Sequence, residues 1–438
     1  MSAPTLNRHL GVRGVVLFGL AYMAPLIVLG TFGIVAGTTG GTVPAAYILA
    51  LVAMLFTAAS YGKMAAEHPV AGSAYTYVRK SIDSRLGFLV GWAVLLDYFF
   101  LPMVIWLIGG AYLSAEFPSV PNWVWLVAFI VLTTVLNVLG IKVAAKANFV
   151  LMVFQILVIA FFVVLSIKQV VADGGSLAST DPFWHKGSTL TTVSGGAALA
   201  AYSFLGFDAV TTLTEETVEP RKTIPRAILL TALIGGGVFV VLAYFTQLAH
   251  PGSTFNDESS AAFEIATRIG GNLFASFFLA GLVVAQFASG IAAQASASRL
   301  MYAMGRDGVL PRVVGYLQPR LRTPAVGIIL TGLVGLTALG LDVSTSTSFI
   351  NFGAFTAFTF VNISVIATWL RGRVERPALT WLVAPTIGAA VDIWLLTNLD
   401  GIALIFGMTW LAIGMVYLAA LTKGFRQPPP EITFTEAE

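Results

Sequence analysis

Cysteine is absent from the chain, histidine occurs four times in 438 residues, and only 10% of the sequence is charged. Without cysteine there are no disulfides and no thiolate metal sites. His9, His68, His185 and His250 are scattered and show no metal-ligand spacing. Soluble domains carry roughly 25% charged residues. This chain is instead 57% hydrophobic with a mean hydropathy of +0.86, which excludes a soluble enzyme or binding domain. Its net charge of +3 comes from bases between apolar runs, so nucleic-acid binding is not indicated. The apolar runs contain no nucleophile–base pair, no lysine or arginine at depth and no ring-forming acid pattern, which argues against a membrane enzyme or a channel. No cofactor or metal is expected.

Twelve apolar stretches are of the length that spans a bilayer, near 14–38, 44–66, 86–115, 122–140, 144–168, 190–217, 226–250, 272–303, 324–342, 346–371, 380–397 and 401–422. The first is too long for a signal-peptide core and lacks a cleavage site, so it is expected to be retained. With the amino terminus inside, 21 of the 24 lysines and arginines fall on the inner side and only Lys168, Lys186 and Arg268 outside. The expected fold is an all-α polytopic membrane protein with both termini cytoplasmic. Residues 1–13 form a cytoplasmic amino terminus, and the proline-bearing tail 427–438 is expected to be disordered.

Three spans carry chemistry. The sixth contains Tyr202-Ser203-Phe204-Leu205-Gly206-Phe207-Asp208, an acid and a glycine in mid-membrane. A buried acid costs a few kcal/mol there, so it should face a cavity, a partner or a substrate. The first span has Pro25 followed by Leu29-Gly30-Thr31-Phe32-Gly33, which reads either as a kinked, closely packed helix or as a break offering free N–H and C=O groups. The third places Asp97 beside Tyr98, with Pro102 beyond; an anion flanked by aromatics suits an ammonium group. Glu215 and Glu216 end the sixth span opposite Arg221, Lys222 and Arg226, either a gate or a static solvated cluster. Asp392 lies towards the outer end of the eleventh span and is less clearly functional. Spans one and six have opposite orientations, and paired interrupted segments point to an inverted-repeat transporter with a midplane site.

On Gly19-Leu20-Ala21-Tyr22, Thr31-Phe32-Gly33-Ile34-Val35, Ala71-Gly72-Ser73-Ala74-Tyr75-Thr76-Tyr77, Leu95-Leu96-Asp97-Tyr98, Ser203 to Leu213, Met304-Gly305-Arg306-Asp307 and Ile350-Asn351-Phe352-Gly353-Ala354, the sequence resembles the amino acid–polyamine–organocation permease superfamily. Within it, the chain is similar to the bacterial putrescine importers over nearly its whole length. The resemblance implies a five-plus-five inverted repeat, with a core over 14–371 (repeats 14–168 and 190–371) and two additional helices over 380–422. It implies alternating access around spans one and six in a bacterial cytoplasmic membrane. Tyr202 would be the aromatic gate, and Asp208 would hold the place of a proton-sensitive glutamate. Gly30 and Thr31 would fall at the first-span break. Two departures accompany the likeness: the putrescine importers carry an aspartate where this chain has Gly30, and Gln155 stands where some proton-coupled permeases have a lysine.

The expected function is import of a small organic amine or amino acid, putrescine-like first, coupled to protons or alternatively sodium. Asp97 would attract the ammonium under Tyr98 and Tyr202. Gly30, Thr31, Ser203 and Gly206 would supply backbone and hydroxyl contacts, and Asp208 would link protonation to the gate. A zwitterionic amino acid permease and an exchanger of the same fold are the alternatives.

Overall fold

The computed structural model describes residues 8, 10–69, 73–140, 145–306, 308–318, 321 and 323–430, with the side chains of 145–149, 215, 303 and 306 excepted. The expected cytoplasmic segment 1–13 and the tail 427–438 therefore lie partly outside the described residues.

All regular elements among these residues are helical: α1 (Val12–Met23), α2 (Ile27–Thr39), α3 (Val43–Glu67), α4 (Ser73–Ser81), α5 (Ser84–Glu116), α6 (Asn122–Val138), α7 (Ala145–Ala172), α8 (Leu190–Ala200), α9 (Pro220–Ala249), α10 (Ala261–Arg306), α11 (Ala325–Gly335), α12 (Val343–Leu370), α13 (Ala384–Thr397) and α14 (Gly401–Leu421). Among the described residues, nine helical segments are long and apolar enough to cross a membrane, and the bent pair α1 and α2 makes a tenth. Two shorter apolar helices, Asn122–Val138 and Ala325–Gly340, fall where the sequence places its fourth and ninth spans.

Polar residues start the helices where the chain turns. Asp83 accepts from Arg85 N and Leu86 N ahead of α5, Thr189 and Thr192 form a capping box on α8, and Asp342 and Asp400 cap α12 and α14. Each satisfies amide donors that a helix start leaves free. Gly271 (φ 68°, ψ −176°) divides α10, so the segment before it is a short helix separate from the span that follows.

Packing follows a pattern along the chain. α3 lies along α9, α5 along α10, α6 against α11, and α2 against α8. In span numbers each of these pairs is five apart, while α12 packs on α5 and α13, and α7 on α9 and α10. α14 is fixed to α5 by a reciprocal tryptophan pair: Trp92 Nε1 donates to Trp410 O (2.8 Å), Trp410 Nε1 donates to Trp92 O (2.7 Å), and the rings stack 4.9 Å apart. α13 is fixed to the bundle by Trp394 Nε1, which donates to Ser194 Oγ in α8 at 3.0 Å, and by Asp392.

Candidate functional site

Two helices are broken at the centre of the bundle. The first break falls at Ala24-Pro25-Leu26, where Ala24 adopts φ 45°, Pro25 has no amide donor, and α1 and α2 meet at 47°. This lies a turn earlier than expected. Gly30 and Thr31 are not at the break but inside α2, which runs unbroken from Ile27. The glycines serve close packing instead: a Cβ on Gly33 would come 2.3 Å from the Glu258 carbonyl oxygen, and one on Gly30 would come 3.1 Å from Ile108 Cγ2. Proline sets the break because it removes a donor outright, whereas a glycine in a helix costs only about 1 kcal/mol.

The second break follows α8. Ala201–Phe204 tightens into a 3-10 turn, Leu205 to Asp208 leave the helix, and a second 3-10 segment runs over Ala209–Glu216. Gly206 has φ +121°, and a Cβ there would lie 2.4 Å from Tyr22 Cδ1, so glycine is required both by the backbone and by the tyrosine ring from the other broken helix. Asp208 folds back over the break and accepts from Gly206 N at 3.3 Å. On the other side, Asn351 Nδ2 of α12 donates to the Ala198 carbonyl at 2.7 Å, near the end of α8.

Between the breaks is a small cavity of about 20 Å³, lined by Tyr22, Met23 and Ala24 at the end of α1, Ile27 at the start of α2, Tyr202 and Leu205 beyond α8, Leu101 and Ile105 of α5, and Ser289 of α10. That is room for about one water, so an organic ligand requires the walls to part. α1 and the α8 segment both present their carboxyl-terminal ends here. α2 presents its amino-terminal end to the same cavity, so partial charges of both signs face it.

Two buried acids do not line this cavity but act electrostatically on the tyrosines that do. Asp97 is 7% exposed, and its Oδ1 has no hydrogen-bond partner. It lies within electrostatic reach of Asp208 and of the phenols of Tyr22, Tyr61, Tyr98 and Tyr202. A buried carboxylate with an oxygen short of donors is satisfied by a cation or by a proton. Asp208, 8% exposed, already has a backbone donor. The two acids are thus brought together but are differently satisfied.

The two predicted hydroxyls are committed inside the protein. Thr31 Oγ1 donates to Ile27 O (3.3 Å) and lies 3.4 Å from Tyr47 OH, which is 3.0 Å from Ser203 Oγ. Tyr47 of α3 thus ties the two broken helices together. Sequence reasoning missed Tyr47 and Tyr22, since nothing in a single apolar run shows which tyrosine faces a partner 150 residues away. At the basic face, Lys222 pairs with Glu219 (3.2 Å) and Arg221 donates to Ala66 O (3.0 Å). The Glu216 carbonyl accepts from Leu10 N at 3.0 Å, while the Glu215 side chain lies outside the described residues.

A bundle of apolar spans with two helices broken around a small central cavity is the arrangement of a membrane carrier. The chain belongs to the amino acid permease family, whose model matches residues 14–375. It is 44% identical over 434 residues to the low-affinity putrescine importer PlaP of Escherichia coli K12, covering 97% of this chain and 96% of that one. It is 26% identical over 440 residues to the branched-chain amino acid permease BcaP of Bacillus subtilis, covering 94% and 92%. Mouse cationic amino acid transporter 4 is 29% identical over 410 residues, covering 86% of this chain and 60% of that protein. The protein is a multi-pass membrane transporter and not an enzyme.

Proposed function

We propose that the protein imports a small organic amine, putrescine or a close analogue, by alternating access across a bacterial cytoplasmic membrane, with protons as the coupling ion. The observation that carries this is the buried Asp97 carboxylate, its Oδ1 without a donor, within electrostatic reach of Tyr22, Tyr98 and Tyr202. An ammonium group supplies the missing positive charge and hydrogen-bond donors together. The 44% identity to a putrescine importer supports the same substrate class.

Two further features agree. On the face opposite the basic loops, a cavity of about 510 Å³ is lined by Asp257, Glu264 and Asp342 and by no lysine or arginine, a surface that attracts cations. Five-apart helix pairing supports a duplicated core of the kind that rocks around a fixed central site. In the proposed cycle the ammonium displaces the mutual repulsion of Asp97 and Asp208, and a proton arriving on either acid weakens its hold. Thr31, Ser203 and Gly206 act by shaping the broken helices, with Tyr202 as the lid.

The test is ligand-induced stabilisation of the purified protein with putrescine, cadaverine, arginine and leucine, each over a concentration series. Stabilisation by the diamines and not by leucine is expected, because binding to the folded state raises its stability as RT ln(1 + [L]/Kd). Stabilisation by leucine alone would assign a zwitterionic amino acid permease.

A further inference from the structure

A third buried acid plays no part in the site above. Asp392 of α13 is 0% exposed and meets Thr57 of α3 and Asn362 of α12, both also 0% exposed. Thr57 Oγ1 donates to Asp392 Oδ2 at 2.8 Å, and Asn362 Nδ2 donates to the same oxygen at 2.9 Å. Asn362 Nδ2 also lies 3.1 Å from Thr57 Oγ1. Two buried oxygens of the cluster have no donor: Asp392 Oδ1 and Asn362 Oδ1. Glycine at 388 lets the amide sit there, since a Cβ would lie 2.8 Å from Asn362 Oδ1.

Such a cluster lacks one thing. A carboxylic acid and a primary amide pair through two parallel hydrogen bonds, amide N–H to acid C=O and acid O–H to amide C=O. The first of these is present. The two oxygens left over are the atoms that make the second in such a pair, and a proton on Asp392 Oδ1 would supply the missing donor. No cation competes for the role. α8 and α12 carry no titratable side chain, and Asp392 is the only one on α13. On α3, Lys63 donates to the Thr380 carbonyl and lies 5.9 Å over the Trp381 ring, while Tyr61 packs on Tyr77, Phe207 and Phe358 and Tyr47 bonds Ser203. Glu67 ends α3 at the basic face. Buried polar groups are satisfied as a rule, and an ionised acid with neutral partners only is costly at membrane depth.

We propose that Asp392 is a resident proton-binding site, holding its proton throughout transport as the acid member of an acid–amide pair with Asn362. It acts as a positioning residue. Through Asn362 and Thr57 it clamps α13 to α12 and α3, and α12 carries the Asn351 that holds the end of α8. The proposal also removes Asp392 from the acids available for coupling.

The test uses the full-length protein in lipid nanodiscs and needs no substrate. Infrared spectra and melting temperatures are recorded across the pH range in which the protein stays folded, for wild type, Asp392→Asn, Asp392→Leu and the exchanged pair Asn362→Asp/Asp392→Asn. Asparagine mimics the neutral acid, donating where the O–H donates. The expected result is a protonated-carboxyl carbonyl band in wild type at every pH that is missing from Asp392→Asn, with the melting temperature and its pH dependence unchanged. Asp392→Leu melts lower, and the exchanged pair melts like wild type and regains the band. A wild type without that band, an Asp392→Asn protein that melts markedly lower, or a melting profile whose pH dependence changes on that substitution overturns the proposal, because each means an ionised or titrating Asp392.

Discussion

At the basic face the chain leading into α1 lies beside the chain leaving the second broken helix. Leu10 N–H donates to Glu216 O at 3.0 Å and Val218 N–H donates to Leu10 O at 2.9 Å, an isolated parallel bridge centred on Leu10 and Thr217. In the proposed cycle this face must open to release substrate, and opening breaks both bonds. Val218→Pro deletes one donor with little else disturbed: the side chain is 46% exposed, and Thr217 already has the extended conformation (φ −95°, ψ 137°) that a residue before proline adopts. A backbone hydrogen bond contributes about 0.5–1.5 kcal/mol net, so the open population should rise by about 2- to 13-fold. The chain's lack of cysteine supplies the assay. Ala209→Cys places a thiol at a position 3% exposed, beside Asp208, which a membrane-impermeant maleimide reaches only when the basic face opens. Labelling from that face should quicken in Val218→Pro and stay at the parent rate in Val218→Ala, which keeps the donor. Equal rates in the two variants would refute the reasoning.

Further outcomes follow from single contacts. Gly206→Ala forces a Cβ into φ +121° and into Tyr22, so it should destabilise by at least about 1–3 kcal/mol and abolish ligand-induced stabilisation, read by thermal unfolding. Tyr47→Phe leaves Ser203 Oγ without its 3.0 Å partner and should cost about 1–3 kcal/mol, seen as a lower melting temperature; an unchanged one contradicts the bridging role. Trp410→Phe keeps an aromatic ring but loses the 2.7 Å bond to Trp92 O, and should cost about 1 kcal/mol, with proteolysis between α13 and α14 becoming faster.

Much of the architecture was legible in the sequence because a bilayer imposes a simple rule. Apolar runs of the right length must become helices, and acids and prolines inside them stand out against that background. Asp97, Asp208, Gly206 and Pro25 were all marked this way, and the second break falls where the sequence puts it. What could not be read was the partner of each polar group. Thr31 and Ser203 have the chemistry of ligand contacts, but both are used by Tyr47, a residue with no local mark of its own. Gly30 and Gly33 look like helix breakers, yet they are packing surfaces for α5 and for the segment around Glu258, because a proline five residues earlier has already broken the helix. Asp392 read as an acid towards the outer end of its span with no clear role, and its burial between α3 and α12 depends on how three distant helices meet. The short helices α6 and α11 also blur the count of spans, since hydropathy fixes length more loosely than it fixes existence.

The central claim is that Asp97 holds the ammonium group of the substrate. Its most direct test is uptake of labelled putrescine into proteoliposomes with and without an inward proton gradient, for wild type, Asp97→Asn and the distant control Asp392→Asn. Gradient-driven uptake lost in Asp97→Asn and retained in Asp392→Asn is the predicted result. Uptake that survives Asp97→Asn, or a wild type that carries no amine while binding a zwitterionic amino acid, would contradict the account.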